Sequence, residues 1–248
     1  MHKLLGLLYL LIGMPILFGA CLVVTLVGWV PWRIKGIRLA QWLCTLFARM
    51  LAPIFNLRVR CTNPVLFENF QGFVFGNHSS YADVFVLLTR MPMRFLAAKE
   101  NLDRPFVGWA GKATGTFPVD RSSARSRAEA LLRLGKIEHY PPFCLFPEGG
   151  IGTLGELQPF YHGVFKICAE NQVPYLLCVI QYEHLDVVGW RDESLATAIW
   201  RLVSAPQMQV VNLRPLCVVQ PNPQDNARQL AAEAHRAMAQ ALGYEPKM

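Results

Sequence analysis

Residues 4–30 carry no charged side chain. A helix needs roughly 20 apolar residues to cross a bilayer core, so this run is long enough. Lys3 before it, with Gly19 and Ala20 inside it, also suits a signal peptide. The run nevertheless continues past Ala20 to Trp29 and Trp32, too far for a cleaved segment, so a retained anchor is expected. Pro15 interrupts the helix near its middle, which leaves open a spanning helix or a broken one lying in a single leaflet. Arg33, Lys35 and Arg38 follow the run and outweigh Lys3, placing the chain beyond residue 33 in the cytoplasm. Next, Leu39, Leu43, Leu46, Phe47, Met50 and Leu51 recur at helical spacing, a stripe that suits a bilayer surface or a protein core equally. Residues 1–56 are thus expected to form membrane-anchoring helices.

From residue 57 the pattern shortens and alternates. Leu57–Thr62, Gly72–Gly76, Arg94–Ala98, Gly115–Val119, Phe143–Phe146, Pro174–Ile180 and Gln209–Arg214 have the length and content of strands. Helical stretches separate them: Tyr81–Thr89, Pro105–Ala113, 122–138 capped by Ser122 or Ser123, His162–Glu170, and 192–204. A last helix is expected to start with Asn222 as cap and Pro223 in its first turn, and to stop at Gly243. This alternation predicts an α/β domain over 57–248, a layered sheet flanked by helices.

Charge and composition change the picture only at the edges. Lys and Arg outnumber Asp and Glu by 24 to 17, a net charge of +7. Such a surface suits lipid headgroups, phosphorylated cofactors or nucleic acid. The apolar start selects membrane lipids, and no aromatic-interleaved basic run argues for nucleic acid. The seven cysteines are odd in number and form no C-x-x-C pair, which points to free, mostly buried thiols and not to a metal site.

Candidate chemistry lies in two stretches, each where a strand ends. In GNHSSYAD, residues 76–83, His78 can act as general base toward a hydroxyl. Asp83 falls in the first helical turn, from which it can fold back onto the ring and fix its tautomer. The plainer alternative is that both residues, with Ser79 and Ser80, only cap the helix. In FPEGG, residues 146–150, Glu148 sits between a proline and paired glycines. Glycine lets backbone approach a ligand closely, although a simple turn would use the same residues.

Together these stretches resemble the phospholipid and glycerolipid acyltransferase family, typified by 1-acylglycerol-3-phosphate acyltransferases. The likeness covers roughly residues 55–220. Asn77, His78 and Asp83 match the family's N-H-x-x-x-x-D. Gly115, Phe117 (one place from its usual position) and Arg121 match G-x-x-F-x-x-R. Phe146, Pro147, Glu148 and Gly149 match F-P-E-G, and VPYLLCVI at 173–180 matches a proline-containing apolar strand. The stretches FLAAKENL at 95–102 and PFYHGVFKICAE at 159–170 share the family's character.

The resemblance implies a membrane-bound enzyme of phospholipid biosynthesis with no cofactor and no metal. An acyl thioester, on coenzyme A or acyl-carrier protein, would donate its acyl group to the hydroxyl of a lysophospholipid. It implies His78 as base, Asp83 as its orienter, and Glu148, Gly149 and Arg121 as acceptor-binding groups, with Asn77 and Gly115 beside them. Backbone N–H groups near the helix start would face the developing oxyanion. The chain departs from the family at Gly150, Ile151 and Gly152, where members acting on phosphatidic-acid precursors commonly carry T-R-S. Lys166, Arg125 and Arg127 are the remaining candidates to hold a phosphate, and Asp120 stands beside Arg121, where an ion pair would quench its charge. Three alternatives stay open: an acceptor such as lyso-ornithine lipid, a lipid hydrolase using Ser79 or Ser80 without a G-x-S-x-G elbow, and a silent membrane adaptor.

Overall fold

The computed structural model describes residues 2–244. The chain opens with α1 (His2–Val27), a two-residue hairpin of β1 (Arg33–Ile34) and β2 (Ile37–Arg38), and α2 (Leu39–Ile54). Then follow β3 (Leu57–Cys61), β4 (Phe73–Gly76), α3 (Ala82–Leu88), β5 (Arg94–Ala98), α4 (Lys99–Leu102), α5 (Val107–Ala113), β6 (Phe117–Val119), α6 (Ala124–Lys136) and β7 (Phe143–Leu145). The remainder is α7 (Gly163–Glu170), β8 (Tyr175–Tyr182), α8 (Leu185–Val188), α9 (Leu195–Val203), β9 (Gln209–Val219) and α10 (Ala227–Leu242).

Seven strands form one sheet in the order β3-β9-β8-β4-β7-β5-β6. Every neighbouring pair is parallel except β8 with β9. The expected layered α/β architecture is therefore present. Its central strands are buried on both faces, which is why they read as continuous apolar runs and not as alternating ones. Phe73, Phe75, Phe143 and Tyr175 enter the core beneath α7 and α10. Val74, Cys144, Leu176 and Cys178 enter the opposite core, beside Val86 and Leu87 of α3.

Most element boundaries lie within three residues of expectation, and two differ by more. Strand β9 runs on through Pro215 to Val219, whereas an end at Arg214 was expected. On one side β9 pairs with β3 only as far as Leu213, so Pro215 lies on an edge where a missing N–H costs nothing. On the other side it sits at a register shift between Leu177 and Cys178. The last helix starts after Asn226, not at Asn222 and Pro223. Asn222 instead opens a turn closed by its N–H donating to Asp225 Oδ2, 2.8 Å. Asn226 Oδ1 takes the N–H groups of Arg228 and Gln229, so it is the true cap.

Helix α1 lies along the domain instead of projecting from it. Gly6, Gly13, Ala20, Cys21 and Val24 form its buried stripe. A Cβ on Gly6 would come within 2.9 Å of Ser204 behind α9, and one on Gly28 within 2.6 Å of Ala113 at the end of α5. Contacts thus reach both ends of a helix about 39 Å long at 1.5 Å per residue. The remaining face is apolar and bare: Leu4, Leu11 and Leu26 are exposed, and so are Trp29 and Trp32 just beyond.

Candidate active site

The parallel sheet itself brings the two sequence motifs together. Phe75 of β4 pairs in register with Leu145 of β7. His78 and Glu148 are each three residues past that pair, so they leave the same carboxyl edge side by side. Ligands and reacting groups gather at this edge in α/β sheets. The FPEGG loop then grips the backbone of His78 from both sides. Glu148 Oε1 accepts the His78 N–H at 2.7 Å, and the Gly152 N–H donates to the His78 carbonyl at 3.0 Å. Oε2 of Glu148 accepts the Gln158 N–H at 2.9 Å. Both oxygens of this buried carboxylate thus hold protein backbone.

Gly149 makes that turn possible. Its φ is +77°, a left-handed conformation, and its N–H closes onto Phe146 O at 2.9 Å. A Cβ there would also lie 2.6 Å from the Tyr161 ring. Burial pushes the Glu148 carboxyl up to about 7, while the N–H bonds from Gln158 and His78 pull it down and the nearby Asp83 charge adds to the rise.

Imidazole and carboxylate meet as the spacing anticipated. His78 Nδ1 lies 2.9 Å from Asp83 Oδ2. Asp83 is an acceptor, so Nδ1 carries the proton and donates it, leaving the Nε2 lone pair as the basic site. Nε2 has no hydrogen-bond partner among the described residues. The ring lies flat on Phe146, centroids 4.0 Å apart and planes at 10°, which fixes its tilt. It is nearly buried, with 9% of the residue exposed.

Asp83 also caps the loop: Oδ2 accepts the N–H groups of Ser79 and Ser80 at 2.7 and 2.8 Å. Capping the loop and holding the His78 ring are therefore not alternatives; one carboxylate does both. Oδ1 accepts the Tyr182 hydroxyl at 2.5 Å. Tyr182 ends β8, four residues past the Gly76–Cys178 pair, and was not singled out from sequence. An aromatic residue at the end of an apolar strand signals packing, and only the register shows the partner.

Other expected site residues have clear positions. Asn77 is buried and clips β4 to β8, donating to Ile180 O at 3.0 Å and accepting the Ile180 N–H at 2.7 Å. Gly115, at φ +86°, turns the chain out of α5 toward β6. Arg121 stands over the FPEGG loop, with Nη1 3.7 Å from where a Cβ on Gly150 would be. Asp120 does not quench it; Asp120 Oδ1 accepts from the Ser122 N–H and hydroxyl, at 2.9 and 2.6 Å. Lys166 is drawn into a surface pair with Glu170 on α7, 3.6 Å, and Arg125 into one with Glu129. Arg127 donates to the carbonyl of Arg121.

Two expectations at the helix start change. The N–H groups of Ser79, Ser80, Ala82 and Asp83 all have acceptors within the loop, so none of these four is free to meet an oxyanion. The Ser80 hydroxyl donates to Val188 O at 2.8 Å, and neither Ser79 nor Ser80 bonds to His78, so no serine–histidine pair exists here for a hydrolase.

Comparison with known proteins finds relatives in sequence and in fold. A 26% identity over 200 residues links the chain to 1-acyl-sn-glycerol-3-phosphate acyltransferase of Salmonella typhimurium, covering 77% of this chain and 76% of that protein. Lyso-ornithine lipid O-acyltransferase of Rhodobacter capsulatus is 28% identical over 185 residues, 69% of this chain and 66% of its own length. The coconut (Cocos nucifera) 1-acyl-sn-glycerol-3-phosphate acyltransferase is 26% identical over 174 residues, 66% of this chain and 54% of that relative. The last two matches therefore span under two thirds of those relatives. The crystal structure of the 1-acyl-sn-glycerophosphate acyltransferase of Thermotoga maritima superposes with a TM-score of 0.74 at 17% identity, covering 98% of this chain and 97% of that one, and establishes the shared fold. The profile of the family described as Acyltransferase matches residues 58–181, which include His78, Asp83, Arg121 and Glu148, and the chain belongs to that family.

Proposed function

We propose that this acyltransferase is membrane-bound and moves a fatty acyl group from an acyl thioester to the free hydroxyl of a lysophospholipid, foremost 1-acyl-sn-glycerol-3-phosphate. One observation carries the reading: His78 is held by Asp83 at Nδ1, flattened on Phe146, and left with an unoccupied Nε2 at the carboxyl edge of the sheet. The acceptor hydroxyl gives its proton to Nε2 as its oxygen bonds to the thioester carbonyl carbon. The C–S bond then breaks, and the leaving thiolate takes the proton from Nε2. The thioester is already activated, so positioning and proton transfer supply most of the acceleration.

Glu148 acts in this scheme by holding the His78 backbone, and Arg121 supplies the cation for the acceptor's phosphate. Coenzyme A and acyl-carrier protein are both suitable donors. The bare apolar face of α1, bounded by Trp29 and Trp32, rests in the cytoplasmic leaflet and keeps the site at the lipid surface.

Gly150-Ile151-Gly152 favours a second acceptor, a lyso-aminolipid such as lyso-ornithine lipid, since no arginine follows FPEG. Purified protein given an acyl thioester and a mixture of lyso-lipids should convert lysophosphatidic acid to phosphatidic acid, detected by mass spectrometry. Acylation of lyso-ornithine lipid alone would move the assignment to the second acceptor. Release of free fatty acid with no acylated lipid would sink both.

A further inference from the structure

A cavity of about 370 Å³ opens along the edge strand β3, between the second half of α2 and the end of α3. Arg49, Arg58 and Arg90 line it together with Pro53, Thr89 and Met208, and none of its lining residues is acidic. None of the three arginines forms an ion pair among the described residues. Arg49 is held in place, donating to the carbonyls of Thr89 and Arg90 at 2.6 and 2.8 Å. Nε of Arg90 is buried with no hydrogen-bond partner. Three guanidiniums around one opening repel one another unless an anion joins them, and a buried N–H donor without an acceptor is costly. His78, Asp83, Arg121 and Glu148 are not among the lining residues, so the cavity is separate from the reaction site.

We propose that this cavity is a second lipid site, binding the phosphate of an anionic phospholipid that is not the substrate. Guanidinium forks match phosphate oxygens in geometry and charge. The surroundings select a lipid over a free ion. Leu46 and Met50, exposed on α2 one turn and one residue from Arg49, continue the apolar surface toward Pro53 at the cavity rim. A headgroup seated among the arginines lets its acyl chains run along that strip, in the layer where α1 is proposed to rest. The inference uses the membrane-bound reading for its orientation, but its test reads lipid binding and not acyl transfer.

The full chain, purified in a neutral detergent, is given equal amounts of phosphatidylglycerol and phosphatidylcholine, and retained lipid is counted by native mass spectrometry. The wild type should keep phosphatidylglycerol over phosphatidylcholine. Arg58→Gln and Arg90→Gln should each reduce that preference about fivefold, the worth of one arginine at an anionic surface. Arg60→Gln is the control: Arg60 lies on the same strand but pairs with Glu183 at 3.6 Å, and removes the same charge. Equal retention of the two lipids, or an equal loss in Arg60→Gln, overturns the site. Displacement of phosphatidylglycerol by millimolar inorganic phosphate alone would assign the cavity to a free anion and overturn the lipid part. Acyl transfer that persists in any of these cases leaves the proposed reaction standing.

Discussion

Tyr182 and Asp83 lie 99 residues apart, yet the phenol donates to Oδ1 of the carboxylate at 2.5 Å while Oδ2 serves His78. His78, the proposed general base, is therefore oriented by a carboxylate that is itself oriented from β8. Replacing Tyr182 with Phe removes this donor and leaves Oδ1 buried. A hydrogen bond to a charged group contributes about 1.5–3 kcal/mol. If half of that appears in the transition state, kcat falls on the order of tenfold. KM for either substrate should hold, since Tyr182 lies behind Asp83. Steady-state kinetics with a melting curve would decide; a lower Tm with unchanged kcat would reduce Tyr182 to packing.

Asp83→Asn tests the charge of that carboxylate apart from its contacts. With the amide oxygen in the place of Oδ2, it still accepts from Ser79, Ser80 and His78 Nδ1, and its NH2 group donates to the Tyr182 hydroxyl. What is lost is the negative charge that stabilises the imidazolium as the proton arrives. The expected loss in kcat is up to roughly 10²–10⁴-fold, the whole contribution of a positioned general base. Circular dichroism should show a folded protein. Loss of folding with no active fraction would make capping the dominant role.

How much of this was legible in the sequence follows from the range of each contact. His78 and Asp83 are five residues apart, so the loop–helix junction declared their meeting. Ser123, one of the two expected caps of 122–138, is equally local, and it holds. Tyr182 could not be seen, because its approach to Asp83 depends on the β4–β8 register. Glu148 was visible as a motif residue, but its grip on the His78 and Gln158 backbone required β4 and β7 to be neighbours. The ends of β9 and α10 were misplaced for a related reason. Proline and asparagine announce a boundary locally, and tertiary context decides whether that boundary is used.

Glu148 should leave a mark on stability. Its carboxyl rises from the ordinary 4.5 to about 7 in the folded chain, so between those values the folded state holds more proton than the unfolded. Stability then falls as pH rises through that window, with the loss complete above about 7, and totals roughly 3 kcal/mol. Glu148→Gln cannot titrate and keeps only one acceptor oxygen for two N–H donors, so it starts less stable. The Tm advantage of the wild type over Glu148→Gln should therefore shrink from pH 5 to pH 8. A constant gap would show that this carboxyl does not titrate in the window.

Arg121 is exposed and makes no ion pair among the described residues, so its removal should cost little stability. If its guanidinium binds the acceptor's phosphate, Arg121→Gln should raise the KM for lysophosphatidic acid about tenfold, the share of one charge-assisted contact. KM for the acyl donor should not move. With a lyso-lipid that lacks phosphate, wild type and variant should behave alike. An unchanged KM for lysophosphatidic acid would remove Arg121 from the acceptor site.

The packing of α1 makes a claim about membrane sidedness. Gly6 rests against Ser204 and Gly28 against Ala113, so both ends of the helix touch the folded domain. A helix crossing the bilayer would have to carry one of those contacts to the far side, together with the polar chain behind it, at several kcal/mol for each unpaired backbone group. Both ends should therefore face the same compartment. Single cysteines in place of His2 and of Lys35, in a chain whose native cysteines are replaced, would report this in sealed vesicles. An impermeant maleimide should label both or neither. Labelling of one alone would mean that α1 leaves the domain and spans, and its small-residue stripe would then be packing against something other than α9 and α5.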